Sequence, residues 1–312
     1  MAFFLFVIVA IFVLSLISGG YVFFAGCYRR KELPWLDVKA LKQTPYGQFS
    51  EHVVAAKQWL DNKNTQSVSI VNADGLKLHA LWVPASNPKG TMLLAHGYRS
   101  CILVDFGLVL DFYHNMGMNL LLPDQRSHGM SEGCYITFGV KESDDMLEWL
   151  RFHNRTFGEY PVILSGLSMG ASTVMFLADK QLPGNVRGII ADCGFTSPKA
   201  IISSVFTSVT HLPAIPTIWA VDLFARIFAR FSLNEKDTRI TLSRNQLPII
   251  MVHGTADTFV PCEMTKDGYA ACIGQKQLLL VDGAGHGVSY LHDRERYTQL
   301  VESFLKRYIK EL

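Results

Sequence analysis

Signatures of metal, nucleotide and nucleic-acid chemistry are missing from this sequence of 312 residues. It has no His-Glu-x-x-His motif and no Cys-x-x-Cys pair, the common signs of a zinc site. It has no Walker glycine-lysine motif, and where Gly283-x-Gly285 follows an apolar run, Val288 occupies the third glycine position of a dinucleotide fingerprint. The formal net charge is only +2, without a long Lys/Arg run, which disfavours nucleic acid as a partner. We therefore predict neither a metal nor a cofactor.

A disulfide framework is also missing. The six cysteines are even in number but widely spaced, and none of them forms a close pair. They are Cys27, Cys101, Cys134, Cys193, Cys262 and Cys272. This spacing favours buried or free thiols over disulfides.

The third absence is that of charge between Ala2 and Gly26. As a helix rising about 1.5 Å per residue, this stretch exceeds the roughly 30 Å hydrocarbon core of a bilayer. It therefore predicts a transmembrane anchor over residues 1–27. A cleaved signal peptide is the alternative, but the basic n-region is missing and the apolar stretch is longer than an h-region normally is.

Residues around the end of this stretch predict how the chain sits on a membrane. Arg29-Arg30-Lys31 follows the anchor directly, and only the amino terminus carries positive charge before it. This bias predicts a single-pass protein with its folded domain on the cytoplasmic side. Phe24-Ala25-Gly26-Cys27 offers an alternative, because it weakly resembles a lipoprotein cleavage site with a lipidated Cys27.

The rest of the chain is long and apolar enough for one large domain. It is 49% hydrophobic, and a chain of this size buries a full core. Residues 28–66 are predicted to be a juxtamembrane connector with one short amphipathic helix, Phe49 to Leu60. Residues 67–312 are predicted to be the folded domain. No signature of an oligomeric state was found in the sequence.

Short apolar runs predict the sheet of this domain. Val68–Asn72 and Leu76–Val83 flank Asp74-Gly75, which is typical of a tight hairpin turn. Six nearly continuous apolar runs follow, separated by helical stretches: Thr91–Ala95, Asn119–Leu122, Val162–Ser165, Val186–Ala191, Pro248–Val252 and Leu278–Val281. Such runs suit strands that are covered on both faces, so the fold class is α/β with a mostly parallel sheet flanked by helices.

One segment interrupts this alternation. Phe195 to Arg244 has no strand-like run, which predicts a helical lid over about residues 195–246. Pro213 and Pro216 divide the lid, because proline cannot continue a helix interior. An apolar stripe follows them: Trp219, Leu223, Phe224, Ile227, Phe228 and Phe231. It predicts either a helix packed on the domain or a hydrophobic wall for a substrate.

The most informative motif is Gly166-Leu-Ser168-Met-Gly170, which lies between an apolar run and a helix-forming stretch. Strand, Gly-x-Ser-x-Gly and helix together are typical of a nucleophile elbow. The small residues are needed because a Cβ beside the sharp turn would strike the neighbouring strand or helix. Ser168 is thus the candidate nucleophile, although the motif alone also fits a glycine-rich structural turn.

A serine hydroxyl needs a base to activate it, and the base needs a carboxylate to fix its tautomer. Asp257 and His286 lie in the loops after the last two predicted strands. In a parallel sheet these loops open at the carboxyl edge, where ligands bind. The chain order Ser168, Asp257, His286 is the one expected for such an elbow.

Other side chains compete for these roles. Asp282 is the alternative acid, but it lies so close in sequence to His286 that the two side chains would have to fold back on one loop. The alternative histidines, all interpreted as structural, are His96, His128, His253 and His292.

The oxyanion of an acyl-transfer intermediate also needs two donors. The Met169 N–H follows the nucleophile at the start of its helix. The Tyr98 N–H follows His96-Gly97 in the first strand-to-helix loop, where glycine lets the backbone turn towards the cleft. The alternative there is an ordinary turn.

From Val68 to the C-terminus, these residues resemble the α/β-hydrolase family, and more closely its bacterial membrane-anchored members and the mammalian α/β-hydrolase-domain serine hydrolases. The most specific match after the elbow is Asp124 to Ser131, which is similar to the family's Asp-x-Arg-x-His-Gly-x-Ser segment. We interpret its polar residues as a scaffold. The resemblance implies an α/β-hydrolase fold, Ser168 as nucleophile, Asp257 as acid and His286 as base, with Tyr98 and Met169 as oxyanion donors.

The resemblance implies a membrane-anchored serine hydrolase acting on an ester. The apolar lid and the membrane anchor point to a lipid or acyl ester as the small-molecule partner. A thioesterase or an amidase/peptidase would use the same three residues. A membrane-bound binding module without turnover is the alternative from another class, because fold alone does not grant hydrolysis.

Overall fold

The computed structural model describes residues 1–30, 38–43, 47 and 50–309. An eight-stranded sheet organises them, in the spatial order β1-β2-β4-β3-β5-β6-β7-β8. The strands are β1 (Gln66–Val71), β2 (Lys77–Val83), β3 (Gly90–Ala95), β4 (Met118–Pro123), β5 (Val162–Leu167), β6 (Val186–Asp192), β7 (Ile249–Gly254) and β8 (Lys276–Val281). Each apolar run predicted from the sequence lies on one of β3 to β8, with Pro248 alone falling outside its strand.

The sheet is mostly parallel, which confirms the predicted fold class. β1 and β2 form an antiparallel hairpin, and β2 is also antiparallel to β4. The remaining neighbours are parallel. The hairpin turns at Gly75, whose φ of +79° is in the left-handed region that glycine favours.

Helices pack on the two faces of the sheet and, in a separate cluster, beside it. They are α1 (Ala2–Cys27), α2 (Val38–Leu41), α3 (Ser50–Asp61), α4 (Ile102–Asp105), α5 (Leu110–Asn115), α6 (Val140–Thr156), α7 (Met169–Met175), α8 (Pro198–Thr210), α9 (Thr217–Phe224), α10 (Thr238–Leu242), α11 (Cys262–Ala271), α12 (Ser289–His292) and α13 (Arg294–Tyr308). Side chains of a strand alternate between faces. In β3, Met92 and Leu94 therefore join a core shared with α5 and α13, while Leu93 and Ala95 join one shared with α6 and α7.

Residues 195–246, all of which the structure describes, are helical where they are regular. α8 and α9 form a hairpin, a π-helical turn (Ala225–Ala229) continues α9, and α10 leads back to β7. The apolar stripe predicted for the lid does not form a face packed on the domain. Trp219, Leu223, Ile227 and Phe228 are exposed, and only Phe231 is fully buried.

The physical reason is the packing between α9 and α1. The side of α9 that faces the protein carries Ala220 and Val221, and it lies against the second half of α1. A Cβ at Gly19 would stand only 2.4 Å from the Cβ of Ala220, so the two helices approach closely. The bulky stripe therefore faces outward.

α1 is long and apolar enough to cross a membrane, with a mean hydropathy of 2.8 in its most apolar window. Such an N-terminal helix fits either a span or a signal sequence. Its buried residues recur every four positions along one side: Ser15, Gly19, Phe23 and Cys27. Its first half is largely exposed.

Candidate active site

Ser168 lies on a strained turn between β5 and α7. Its φ of +57° and ψ of −118° are rare for a residue with a side chain. The flanking glycines explain how the turn is tolerated. A Cβ at Gly166 would meet the Gly170 carbonyl oxygen at 2.1 Å, and a Cβ at Gly170 would meet the Ala95 carbonyl oxygen at 1.8 Å.

The structure brings Ser168, His286 and Asp257 together, although they come from three different loops. The Ser168 Oγ lies 2.9 Å from the His286 Nε2. The His286 Nδ1 lies 2.7 Å from the Asp257 Oδ2. Because a carboxylate only accepts, Nδ1 carries the hydrogen, and Nε2 is left as the acceptor for the serine hydroxyl. The hydroxyl thus faces an imidazole nitrogen that can accept its proton, and a buried carboxylate orients the ring.

The Asp257 carboxylate is surrounded by donors. Its Oδ1 accepts the backbone N–H groups of Phe259 and Val260, each at 2.9 Å. Burial alone would raise the pKa of Asp257, but hydrogen bonds from His253 and His286 hold it well below its usual range. Asp257 is therefore ionised whenever His286 needs an acceptor.

His253, which the sequence predicts to be structural, contacts the carboxylate of Asp257. It is fully buried, and its Nε2 lies 3.0 Å from the Val260 carbonyl and 3.1 Å from the Asp257 Oδ2. Since the carbonyl only accepts, Nε2 carries a hydrogen and donates towards both. Thr265 holds the other ring nitrogen at 2.7 Å. The available sequence signal was the spacing of His253 and Asp257, four residues apart at the end of one strand.

The competing candidates lie elsewhere. The Asp282 Oδ1 accepts from the Thr255 hydroxyl at 2.9 Å. His96 accepts the Gln125 N–H, and His292 is exposed in α12.

His128 supports the loop that carries Tyr98. Its Nε2 accepts the Arg99 N–H at 3.0 Å, and its Nδ1 donates to the Arg126 carbonyl at 2.9 Å. Burial, with the nearby His96, lowers the pKa of His128 to about 3. The neutral ring that this arrangement needs is therefore retained at neutral pH.

The remaining contacts of this loop hold its backbone close to Ser168. Asp105 accepts the Gly97 N–H at 2.5 Å and the Ser100 hydroxyl at 2.6 Å. A Cβ at Gly97 would lie 3.3 Å from the Ser168 Cβ, so glycine allows the close approach. The Tyr98 hydroxyl donates to the Gly26 carbonyl of α1 at 2.7 Å.

Met169, the other predicted donor, is the first residue of α7. A backbone N–H in the first turn of a helix has no partner within that helix. Tyr98 thus comes from the loop after β3, and Met169 comes from the start of α7. Both segments adjoin Ser168.

The Asp124–Ser131 segment forms polar contacts beside this loop. Arg126 binds Asp145 through two hydrogen bonds of 2.6 and 2.7 Å and binds Asp74 at 2.7 Å. Asp124 accepts the Met130 N–H at 2.9 Å.

Two cavities meet at Ser168. One has a volume of about 280 Å³, and its lining is mainly apolar but includes the polar side chains of Asp105, Asp192 and Tyr290. The other has a volume of about 590 Å³, and its walls from α1, α8 and Phe195 are almost wholly apolar. A molecule that reaches Ser168 can therefore place one part in an almost wholly apolar cavity and another part in a cavity that also offers polar groups.

Asp192 is a second buried carboxyl beside the site. It ends β6, and its Oδ1 has the Ser289 hydroxyl at 3.4 Å. Burial raises the pKa of Asp192 to about 6, against the opposing effects of His253 and His286. Cys193, the next residue, groups with Asp257 and His286 within 4.8 Å as a conceivable set of metal ligands. Asp257 and His286 of this set are already hydrogen-bonded to each other. Burial raises the pKa of the Cys193 thiol and so keeps it protonated.

A family model described as serine aminopeptidase, S33 (Hydrolase_4) matches residues 86–246, about half of the chain. The chain belongs to this α/β-hydrolase family. The hydrolase is 24% identical over 237 residues to the uncharacterized protein YqkD of Bacillus subtilis, with 76% of this chain and 77% of that relative covered. It is 20% identical over 231 residues to the uncharacterized protein YfhR of Escherichia coli K12, with 72% and 75% covered.

Solved structures share the fold of the hydrolase. The Pyrococcus furiosus esterase Pf2001 has a TM-score of 0.65 at 22% identity, covering 81% of this chain and 95% of that one. A thermophilic esterase from Thermogutta terrifontis, with malate bound, has a TM-score of 0.56 at 18% identity, covering 78% and 99%.

Proposed function

We propose that the hydrolase is a membrane-anchored serine hydrolase that cleaves an ester with an apolar acyl group. The observation that carries the proposal is the continuous hydrogen-bonded chain from the Ser168 Oγ through His286 to Asp257, at the point where the two cavities meet. This arrangement meets the geometric requirements for a nucleophile, its base and the group that orients the base.

In the first half of the reaction, the Ser168 Oγ attacks the ester carbonyl carbon while the His286 Nε2 takes its proton. The negative oxygen of the tetrahedral intermediate lies between the backbone N–H groups of Met169 and Tyr98. His286 then gives the proton to the leaving alcohol oxygen as the carbon–oxygen bond breaks. An acyl group remains on Ser168.

Water completes the cycle. His286 takes a proton from the water as its oxygen attacks the acyl carbon, and it returns the proton to the Ser168 Oγ when the carboxylic acid leaves. Asp257 stays ionised throughout and stabilises the imidazolium that forms in each step. The low pKa of its carboxyl supports this role.

The two cavities support the assignment of the substrate's parts. The larger cavity suits an acyl chain because its walls lack charge. The smaller one suits the alcohol part because hydroxyl and carboxyl groups are present among its mainly apolar lining residues. The favoured substrate is thus an ester of an apolar acid, with its alcohol part in the smaller cavity.

The test compares esters, thioesters and anilides of the same acyl group with full-length protein in detergent. We expect the ester to have the largest kcat/KM, and Ser168→Ala to lower kcat by at least about a thousandfold. The matched control is Ser303→Ala, which removes an exposed hydroxyl on α13. A Ser168→Ala variant that keeps its rate would contradict the proposal.

Amide cleavage is the second candidate, because the family model carries the description of a serine aminopeptidase. A larger kcat/KM for the anilide than for the ester would favour it, and preferential turnover of the thioester would favour a thioesterase. Tight binding of the ester without turnover by any variant would favour a binding module.

A further inference from the structure

α1 forms part of the wall of the larger cavity. Val22 and Ala25 of α1 line one side, and Ile202 and Val205 of α8 line the other. The Tyr98 hydroxyl ties the Gly26 carbonyl to the loop beside Ser168. The helix that could cross a membrane thus lines the same cavity as the reacting serine.

Contacts with the lid fix α1 in this position. Ser18 and Thr217 share a hydrogen bond of 2.9 Å, and Phe23 stacks on Phe224 with ring centroids 6.3 Å apart. The close approach of Gly19 to Ala220 lies between them. In these three pairs the residue numbers increase together along α1 and α9, so α9 runs parallel to the second half of α1.

The length of α1 sets a requirement on the lid. The largely exposed first half of α1, from Ala2 to Leu14, extends about 20 Å at 1.5 Å per residue. A hydrocarbon core of about 30 Å is longer than this. If α1 crosses the membrane, about 10 Å of the segment from Ser15 onward must also lie in the bilayer, and this length includes the contacts of Ser18 and Gly19 with α9.

The lid has the composition that this requirement predicts. Between Lys199 and Asp222 the sequence contains no Asp, Glu, Lys or Arg. Large apolar side chains are exposed around the turn between α8 and α9: Val209, Leu212, Ile215 and Trp219. The first charged group of α9, Asp222, pairs with Arg226 at 2.8 Å, at the end away from this turn.

The larger cavity opens at the same place. Tyr21, Val209 and Leu212, which line one end of it, are exposed. Phe138 and Phe195, which line the other end with Ser168, are buried. The cavity therefore leads from the exposed apolar turn of the lid to the nucleophile.

We propose that the lid turn, residues 209–219, inserts into the leaflet beside α1, and that the substrate is a membrane lipid ester whose acyl chain enters the cavity from the bilayer. The depth required, about 10 Å, agrees with that of interfacial helices. This proposal rests on the ester hydrolysis proposed above and specifies the source of the substrate.

The cavity also sets an acyl length. From Ser18 to Cys27 it follows α1 for about 13 Å at 1.5 Å per residue. An extended backbone spans about 3.5 Å per residue, which contains three bonds. An extended acyl chain therefore advances about 1.2 Å per bond. An acyl chain of about ten carbons thus reaches from Ser168 to the lid turn.

The first experiment tests insertion of the lid. Full-length protein is reconstituted in phosphatidylcholine vesicles, and kcat/KM is measured for a vesicle-embedded decanoyl ester and a water-soluble acetyl ester. Ile215→Asp places a charge on the lid turn, and its matched control, Ile273→Asp, places one on an exposed isoleucine outside the lid. We expect the decanoyl-to-acetyl ratio to fall at least about tenfold for Ile215→Asp, because charge at membrane depth is costly. Equal ratios in the two variants would overturn the insertion.

The second experiment tests the wall that α1 supplies. Ala25→Phe narrows the cavity, whereas Ala10→Phe makes the same change on the part of α1 before the lid contact. We expect only Ala25→Phe to lower the decanoyl-to-acetyl ratio, by at least about tenfold, because excluded methylene groups lose their apolar contacts. Equal ratios for Ala25→Phe and the wild type would overturn the role of α1.

The outcomes separate this proposal from the one on which it rests. If hydrolysis of the acetyl ester does not depend on Ser168, the proposed function fails. If it depends on Ser168 but the ratios are unchanged in Ile215→Asp and Ala25→Phe, ester hydrolysis stands and entry from the bilayer is wrong.

Discussion

Gly19 of α1 and Ala220 of α9 are so close that a Cβ on Gly19 would stand 2.4 Å from the Cβ of Ala220 and 3.0 Å from the backbone of α9. Small residues allow this approach, as they do between helices in membranes. The contact joins the N-terminal helix to the lid and thereby closes one wall of the larger cavity.

Gly19→Val therefore forces α1 and α9 apart. We expect a loss of about 2 kcal/mol in the free energy of unfolding, typical of overpacking, and faster proteolysis within the lid. Ala10→Val, on the part of α1 before the lid contact, is the control. Thermal unfolding in detergent and timed proteolysis measure both effects, and equal behaviour of the two variants would contradict the close packing.

Gly170→Ala tests the turn that carries Ser168. The added Cβ would lie 1.8 Å from the Ala95 carbonyl oxygen, a backbone atom that moves only with β3. We expect a loss of at least about 3 kcal/mol in the free energy of unfolding. Gly184→Ala is the control, because a Cβ there meets nothing within 4 Å. A Gly170→Ala protein with the wild-type Tm would contradict the close approach of Gly170 to the Ala95 carbonyl.

Asp257→Asn tests the group that orients His286. The amide cannot hold the ring in the same tautomer, so we expect kcat to fall by about 10⁴-fold with the fold retained. Asp282→Asn, which alters a carboxylate bonded to Thr255, should stay within about twofold of the wild type. Steady-state kinetics on one ester decides between them, and loss of turnover only in Asp282→Asn would reverse the assignment.

Asp192→Asn tests the buried carboxyl beside the site. The pKa of the Asp192 carboxyl is about 6 in the folded protein, above the ordinary value of 3.8 for an aspartate, so folding favours the protonated form. The wild type therefore loses stability as pH rises from about 4 to about 6, by about 3 kcal/mol once the group is ionised. The asparagine variant should gain that amount above pH 6 and nothing below pH 4. A difference in Tm between variant and wild type that is the same at pH 4 and pH 8 would contradict this.

The sequence predicts the sheet and the positions of the three polar side chains because both depend on local patterns. Continuous apolar runs mark β3 to β8, and the loops after β5, β7 and β8 carry Ser168, Asp257 and His286. The parallel arrangement then brings the loops to one edge. No long-range information is needed for that step.

Tertiary packing explains what the sequence does not predict. A stripe such as Trp219, Leu223 and Ile227 is expected to face a core, but close packing of Gly19 on Ala220 turns it outward. Asp192 was missed because it ends an apolar strand without a motif. His253 was interpreted as structural because its contact with Asp257 depends on the fold of a loop.

Labelling by a fluorophosphonate is the most direct measurement of whether Ser168 is an activated nucleophile. The probe bonds to a serine that a neighbouring base activates, so the full-length protein should take up one probe per chain. Peptide mass spectrometry should locate it on Ser168, and the Ser168→Ala and denatured proteins should remain unlabelled. A folded wild-type protein that takes up no probe, or takes it up at another residue, would contradict the role of Ser168 as the nucleophile.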